Sequence, residues 1–107
     1  MRSRSDFDRA LREGLRLGDH RMTLWAVPND LGTVRFGLIV GRKHGNAVRR
    51  NRIKRVLRSA FRRSQHDLPT GLDLVCSPRT GGEIELRGCI ESLTHLAARL
   101  ARRLRRR

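Results

Sequence analysis

The sequence has few of the residues that build metal sites, disulfide frameworks and membrane spans. Its 2 cysteines, Cys76 and Cys89, form no C-x-x-C pair, and its 4 histidines are scattered along the 107 residues. We therefore expect free thiols and no metal bound by the protein alone. No run of about 18 apolar residues occurs, and no apolar signal core follows the first residue. These absences predict a soluble, cytoplasmic protein with no membrane partner.

Acidic residues are also scarce, and they are unevenly distributed. The chain has 25 Lys+Arg against 10 Asp+Glu, a formal net charge of +15, and residues 31–66 contain no acid at all. Such an excess indicates a polyanion-binding protein, with nucleic acid as the first partner to consider. No carboxylate cluster or acid-base pair of the kind a protein nuclease needs is visible, so we predict no catalytic side chains.

The remaining residues suffice for one small folded domain. Hydrophobic residues make up 37% of the chain, in periodic segments and without repeats, which predicts a single domain over residues 1–107. Periodicity predicts helices over residues 5–17 and 47–64 and a last helix through Leu104, with Ser5 and Asp8 resembling a capping box. Strands are predicted over residues 22–27 and 33–40, joined by a hairpin loop, and over residues 72–76. The fold class is α+β, a small sheet with helices packed on it.

The helix over residues 47–64 has an apolar face and a basic face. A solvated surface is the ordinary interpretation of a charged helix face, but here acidic partners are missing, which favours a nucleic-acid surface. Charge alone does not distinguish DNA from RNA. The outward residues are Asn51, Lys54, Arg55, Arg58 and Arg62.

Residues 42–58 carry the most specific pattern in the chain, RKHGNAVRRNRIKRVLR. Its core is Arg50-Asn51-Arg52, preceded by the turn Gly45-Asn46-Ala47-Val48. This segment closely resembles the central signature of the bacterial ribonuclease P protein subunit family. The resemblance extends to Phe7, Leu24-Trp25 and residues 72–75, and so covers nearly the whole chain. Leu11 departs from the family, which often has a second aromatic residue there.

The resemblance implies a fold, an activity and partners. The implied fold is an α-β sandwich with a mostly antiparallel central sheet and a left-handed β-α-β crossover. The implied function is that of an accessory subunit, in which the ribonuclease P RNA, with Mg²⁺ that it mainly holds itself, removes the 5′ leader of precursor tRNA. The implied partners are that RNA and precursor tRNA, with no obligate protein partner.

The resemblance also assigns two sets of site residues. The set that docks on the RNA subunit is Arg49, Arg50, Asn51, Arg52, Lys54, Arg55, Arg58 and Arg62. The set that binds the leader, by stacking and phosphate contacts, is Phe7, Leu11, Trp25, Arg42, Lys43 and Asn46.

Plainer roles remain open for several of these residues. Phe7 and Trp25 also suit the core, and Arg42 and Lys43 also suit a solvated loop. The basic end, residues 99–107, either adds RNA affinity or frays in solvent.

Three other functions compete with this interpretation. A ribosomal or other structural RNA-binding protein shares the size and charge but gives no reason for the Arg50-Asn51-Arg52 motif. A DNA-binding regulator usually presents Asn, Gln or Ser among its arginines, and only Asn51 and Ser59 are available here. A stand-alone nuclease would cut precursor tRNA without added RNA.

Overall fold

A computed structural model describes residues 3–107 as a four-stranded sheet with helices on both faces. The helices are α1 (Arg4–Glu13), α2 (Ala47–Ser64) and α3 (Leu86–Arg105), with 3-10 turns at Arg42–His44 and Gln65–Asp67. The strands are β1 (Leu15–Gly18), β2 (Met22–Pro28), β3 (Arg35–Leu38) and β4 (Leu72–Pro78). Because α3 continues to Arg105, most of the basic end is helical. None of the helices in the described part of the chain is long and apolar enough to cross a membrane.

The sheet is mixed, with the strand order β1-β2-β4-β3. β2 pairs antiparallel with β1 and with β4, whereas β3 pairs parallel with β4. The chain leaves β3, passes through α2 and returns as β4, so these elements form a β-α-β crossover. The α+β fold class, with a mostly antiparallel sheet, is therefore confirmed.

The first helix is shorter than the sequence predicts, and an unpredicted strand follows it. The helix ends at Glu13 instead of residue 17, and its N-cap is Ser3, not Ser5, since the Ser3 hydroxyl accepts the Asp6 N–H at 3.1 Å. In β1, Leu15 and Leu17 pack against the core while Arg16 is exposed, an alternation that suits a strand. The apolar spacing of residues 7–17 fits both a helix and a strand, because the helical and strand periods share positions over so short a segment. For that reason the predicted helix was too long.

The predicted hairpin between the strands at residues 22–27 and 33–40 is wrong. β4 lies between β2 and β3, and it pairs with β2 over seven residues. Every residue of β4 is buried, because the strand has a neighbour on each side and helices on each face. The central strand β4 comes from a part of the chain distant from β2, so local sequence patterns do not predict that the two strands pair.

Each face of the sheet contributes to its own apolar cluster. The larger cluster packs the sheet against α2 and α3, and the smaller one packs Val27 and Val75 against Ala10 of α1. Cys76 and Cys89 lie in the larger cluster as free thiols, as predicted, and burial raises the pKa of the Cys76 thiol. The larger cluster is formed around Met22, Leu24, Leu57, Leu74, Leu93, Leu96 and Leu100.

A buried ion pair holds β3 beside β4. The Asp73 carboxylate is 0% exposed and accepts Nε of Arg35 at 2.7 Å, Nη2 of Arg35 at 2.6 Å and Nδ2 of Asn29 at 2.9 Å. Nη2 of Arg35 also lies 3.3 Å from the Asp6 carboxylate of α1. Burial by itself would raise the pKa of Asp73, but the hydrogen bonds from Arg35 and Asn29 lower it below 3.8. Arg35 belongs to the basic block of the sequence, the acid-free residues 31–66, and its side chain therefore stabilises the fold.

Replacing Asp73 with Ala should lower the free energy of unfolding by about 3 kcal/mol at neutral pH, because Arg35 loses its buried partner. The native pKa lies below the unfolded one, so this stabilisation is present above about pH 4 and is lost as the pH falls further. The free energies of unfolding of the parent protein and of Asp73→Ala, measured with urea, should therefore converge in acid. In the control Asp6→Ala, whose side chain is 28% exposed, the loss should stay below about 1 kcal/mol. Equal losses for the two variants would contradict this account.

Candidate nucleic-acid interface

The basic helix α2 begins at a well-defined cap. The Asn46 side chain accepts the Arg49 N–H at 2.9 Å. Gly45 has a φ of +109°, and a Cβ there would lie 2.6 Å from Cδ of Arg49, so a glycine is needed at this turn. Asn46, which we predicted to bind the leader, therefore uses its amide oxygen to start the helix, although its side chain remains exposed.

Aromatic stacking positions α2 beside the edge strand β3. The rings of Phe61 and Phe36 are 4.7 Å apart and nearly parallel, at 6°. Ile53, Leu57 and Ala60 are buried on the same side of α2. The opposite side is free of core contacts, as the helical period predicts. The predicted docking residues that are exposed there and beside it are Asn51, Arg52, Arg55, Arg58 and Arg62.

The other three residues predicted to dock on RNA lie on the flanks of α2. Lys54 is half-buried and lines a cleft along β3 together with Arg58. Arg49 lies on the other flank, where its Nη2 donates to the Gly82 carbonyl at 2.9 Å. Arg50 is half-buried, and its Nε finds no hydrogen-bond partner among the described residues. The eight residues are thus brought onto one helix but not onto one surface.

The cleft beside β3 combines cations with an aromatic ring. It has a volume of about 320 Å³ and lies between Phe7 of α1 and Lys54 and Arg58 of α2. Gly37 allows Phe7 to approach, since a Cβ on Gly37 would lie 2.5 Å from Cζ of the ring. The residues of β3 and its extension that complete the cleft are Phe36, Gly37, Leu38 and Val40.

Sequence reasoning did not assign Phe36 or Gly37 to the site. Phe36 packs against Phe61 and also lines the cleft. For Gly37 a signal was available, because a glycine inside a strand pattern often marks the close approach of another group.

Trp25 and Leu11 lie near Phe7 but do not line the cleft. Trp25 is half-buried on the α1 face of β2 and, like Phe7, packs against the small apolar cluster. Leu11 is 39% exposed, one helical turn after Phe7. In the β1–β2 pairing Arg16 lies opposite Trp25, and its exposed side chain adds a cation that the sequence did not single out.

A buried histidine holds the turn that carries Arg42 and Lys43. His44 is 2% exposed, its Nδ1 accepts the Gly41 N–H at 3.0 Å, and its Nε2 donates to the Pro78 carbonyl at 2.8 Å. A carbonyl only accepts and an amide N–H only donates, so this pair of bonds requires a neutral ring protonated on Nε2. The histidine thus has a structural role.

The turn places Lys43 in a separate part of the surface. Lys43 lines a second depression, of about 390 Å³, together with Arg49 and Arg79. Neither Lys43 nor Arg42 lines the cleft of Phe7. The six residues predicted to bind the leader are therefore distributed over the cleft, the α1 face of the sheet and this turn. Within residues 3–107 no three His, Cys, Asp or Glu side chains are grouped so that they could hold a metal ion.

Substituting Gly37 with Ala should lower the free energy of unfolding by about 1 to 3 kcal/mol, because the new methyl group overlaps the Phe7 ring. In a Phe7→Ala background the same substitution should cost much less, since the methyl group then has room. Urea unfolding of the two single variants and the double variant measures this coupling. Strictly additive losses would show that the ring does not occupy the space above Gly37.

Comparison with known proteins agrees with this arrangement of helices and strands. Residues 1–101 match the family model Ribonuclease P. The ribonuclease P protein component of Pelotomaculum thermopropionicum is 37% identical over 79 residues, covering 74% of this chain and 70% of that protein. For that of Photobacterium profundum the identity is 35% over 100 residues, covering 90% and 85%. The structure of the RNase P protein from Thermotoga maritima matches with a TM-score of 0.83 at 33% identity, covering 92% of this chain and 94% of that one. The chain therefore belongs to the ribonuclease P protein family.

Proposed function

We propose that this ribonuclease P protein binds the RNA subunit of the enzyme through α2 and the 5′ leader of precursor tRNA in the cleft beside β3. By doing so it promotes endonucleolytic removal of the leader and formation of the mature 5′ end. The observation that carries the proposal is the cleft, in which Lys54 and Arg58 lie together with the Phe7 ring. Cations suit phosphates, and an aromatic face suits an unpaired base.

The exposed side of α2 suits a folded RNA. Within residues 3–107, none of its exposed arginines forms an ion pair with a carboxylate. From Asn51 to Arg62 the surface extends roughly 16 Å, at about 1.5 Å per residue, which is enough to contact several phosphates. Each arginine fork donates two parallel hydrogen bonds to a phosphate, and a bound polyanion relieves the repulsion between neighbouring arginines.

The partly buried cations of α2 support the same assignment. Nε of Arg50 is buried without a hydrogen-bond partner among the described residues, one turn before Lys54. A buried donor that lacks a partner costs about 1 to 3 kcal/mol, so it is uncommon in a finished structure. If the Arg50 side chain turned outward, a phosphate oxygen beside α2 would supply the missing acceptor.

The cleft suits a single strand of variable sequence. Every base presents a π-face, so stacking on Phe7 tolerates many leader sequences, and contributes about 1 to 3 kcal/mol per base. Lys54 and Arg58 would hold the phosphates next to the stacked base. Trp25 and Arg16, on the α1 face of the sheet, would extend this contact along the RNA strand.

In this proposal the phosphodiester is hydrolysed by the RNA subunit with its Mg²⁺, and the side chains of the protein bind and orient. The described carboxylates do not form a metal site, and Asp6 and Asp73 are both engaged by Arg35. No step of the reaction is therefore assigned to an ion held by the protein.

Reconstitution with a bacterial ribonuclease P RNA at low Mg²⁺ tests the proposal directly. Precursor tRNA cleavage should be weak with the RNA alone, absent with the protein alone and strong with both. The double variant Arg52→Ala/Arg55→Ala should need more protein for the same stimulation, because two phosphate contacts are lost.

A matched control removes the same charge elsewhere. Arg12→Ala/Arg87→Ala changes two exposed arginines that lie outside α2 and the cleft, and it should stimulate cleavage as well as the parent does. Absence of stimulation by the parent would leave only an RNA-binding protein, and cleavage by the protein alone would refute the division of labour.

Phe7→Ala should weaken binding of precursor tRNA to the reconstituted enzyme by roughly tenfold while leaving mature tRNA nearly unaffected, because only the precursor carries a leader to stack. Equilibrium binding of both tRNAs gives the ratio. A loss shared equally by precursor and mature tRNA would mean that Phe7 acts through the fold and not through the leader.

A further inference from the structure

A second group of arginines lies together on the last two turns of α3 and at its C-cap, and the proposed function makes no use of it. The spacing i, i+3, i+4 and i+7 places these side chains on one side of the helix, opposite the residues that enter the core. They line a depression of about 210 Å³. This arginine face of α3 consists of Arg99, Arg102, Arg103 and Arg106.

The positive charge of this face is not balanced by the rest of the protein. Within residues 3–107, none of the four arginines forms an ion pair, whereas Arg9 of α1 pairs with Glu13 at 3.6 Å. Like charges at these spacings repel each other and destabilise an isolated helix by a few tenths of a kcal/mol per pair. Burial of Leu100 and Ala101 on the other side of the helix holds the arginines in place despite this repulsion.

The arginine face lies at the opposite edge of the sheet from the cleft. α3 packs over β1 and β2, and near its end Nη2 of Arg107 lies 3.5 Å from the Glu13 carbonyl of α1. α2 is instead stacked on β3 through Phe61. β1 and β3 are the two edge strands, separated by about 14 Å across the sheet. Although α2 and α3 also pack against each other, the end of α3 lies at the β1 edge of the sheet and the cleft lies at the β3 edge.

We propose that the arginine face of α3 binds the phosphate backbone of an RNA segment different from the one bound by α2, so that the protein bridges two parts of an RNA. Four guanidinium groups on one helix face, with no acid among them, match the charge of consecutive phosphates and the geometry of the arginine fork. The face carries no exposed aromatic or apolar group for a base, so the contact is independent of sequence. This inference rests on the proposed function for the identity of the RNA.

The salt dependence of binding to a bacterial ribonuclease P RNA transcript tests the inference. Each lost phosphate contact reduces the slope of log K against log salt by about one. Arg102→Ala/Arg106→Ala should therefore reduce the slope by about two, and Arg12→Ala/Arg87→Ala, which removes the same charge from other exposed positions, should leave it unchanged. Thermal unfolding checks that both variants are folded. Equal slopes for the two double variants would overturn the inference, and that result is also the one expected if the face instead bound an acidic protein.

Directed cleavage of the RNA locates the segment. Cys76 and Cys89 are buried, so a thiol introduced as Arg103→Cys or Asn51→Cys can be modified selectively with an iron chelate that generates hydroxyl radicals. Cleavage from position 103 should map to nucleotides different from those cut from position 51. Cuts at the same nucleotides, or none from position 103, would overturn the inference.

Failure of the inference and failure of the proposed function give different results. The function fails if the parent protein does not stimulate precursor tRNA cleavage. The inference fails if stimulation is normal but the α3 double variant shows the salt slope of its control.

Discussion

The carboxylate of Asp73 holds the parts of the chain from which the cleft is built. In the parallel pairing of β3 with β4 it lies directly opposite Arg35, which reaches on to Asp6 of α1, and it also binds Asn29 between β2 and β3. β3 has only four residues and a strand on one side, so few backbone bonds hold it. The ion pair adds a charge-assisted link at this edge, and the cleft depends on it because β3 forms one of its walls.

Arginines of the same basic block bind different groups once the chain is folded. Arg35 binds buried and half-buried carboxylates, and Arg49 binds a backbone carbonyl of the loop between β4 and α3. Arg52, Arg55 and Arg58 remain exposed on α2. The difference lies in the position of each residue relative to the sheet. A guanidinium that binds a carboxylate in the interior is not available to an external phosphate. A count of basic residues therefore overestimates the charge available for RNA.

The predictions for α2 and for the strand β1 show where sequence patterns succeed and fail. α2 spans eighteen residues with one apolar side, has Asn46 as its N-cap and was predicted with its correct limits. β1 has four residues and was assigned to the preceding helix, because a short strand and the end of a helix show the same apolar residues. The pairing of β2 with β4 was missed, because β4 enters the sheet only after α2 and no local turn sequence announces it.

The sequence contained enough information to identify a polyanion-binding α+β protein, its basic helix and its family. Each of these features is written in residues close together in the chain: an N-cap, a helical period and the motif Arg50-Asn51-Arg52. The residues that line the cleft are instead brought together by the tertiary structure. Phe7 meets Gly37, and Arg35 meets Asp73 across 38 residues, only because the strand order brings them together. Contacts between distant residues are selected by the packing of the whole sheet, and for that reason the fold, and not the local pattern, determines which arginines and aromatic rings are available to a ligand.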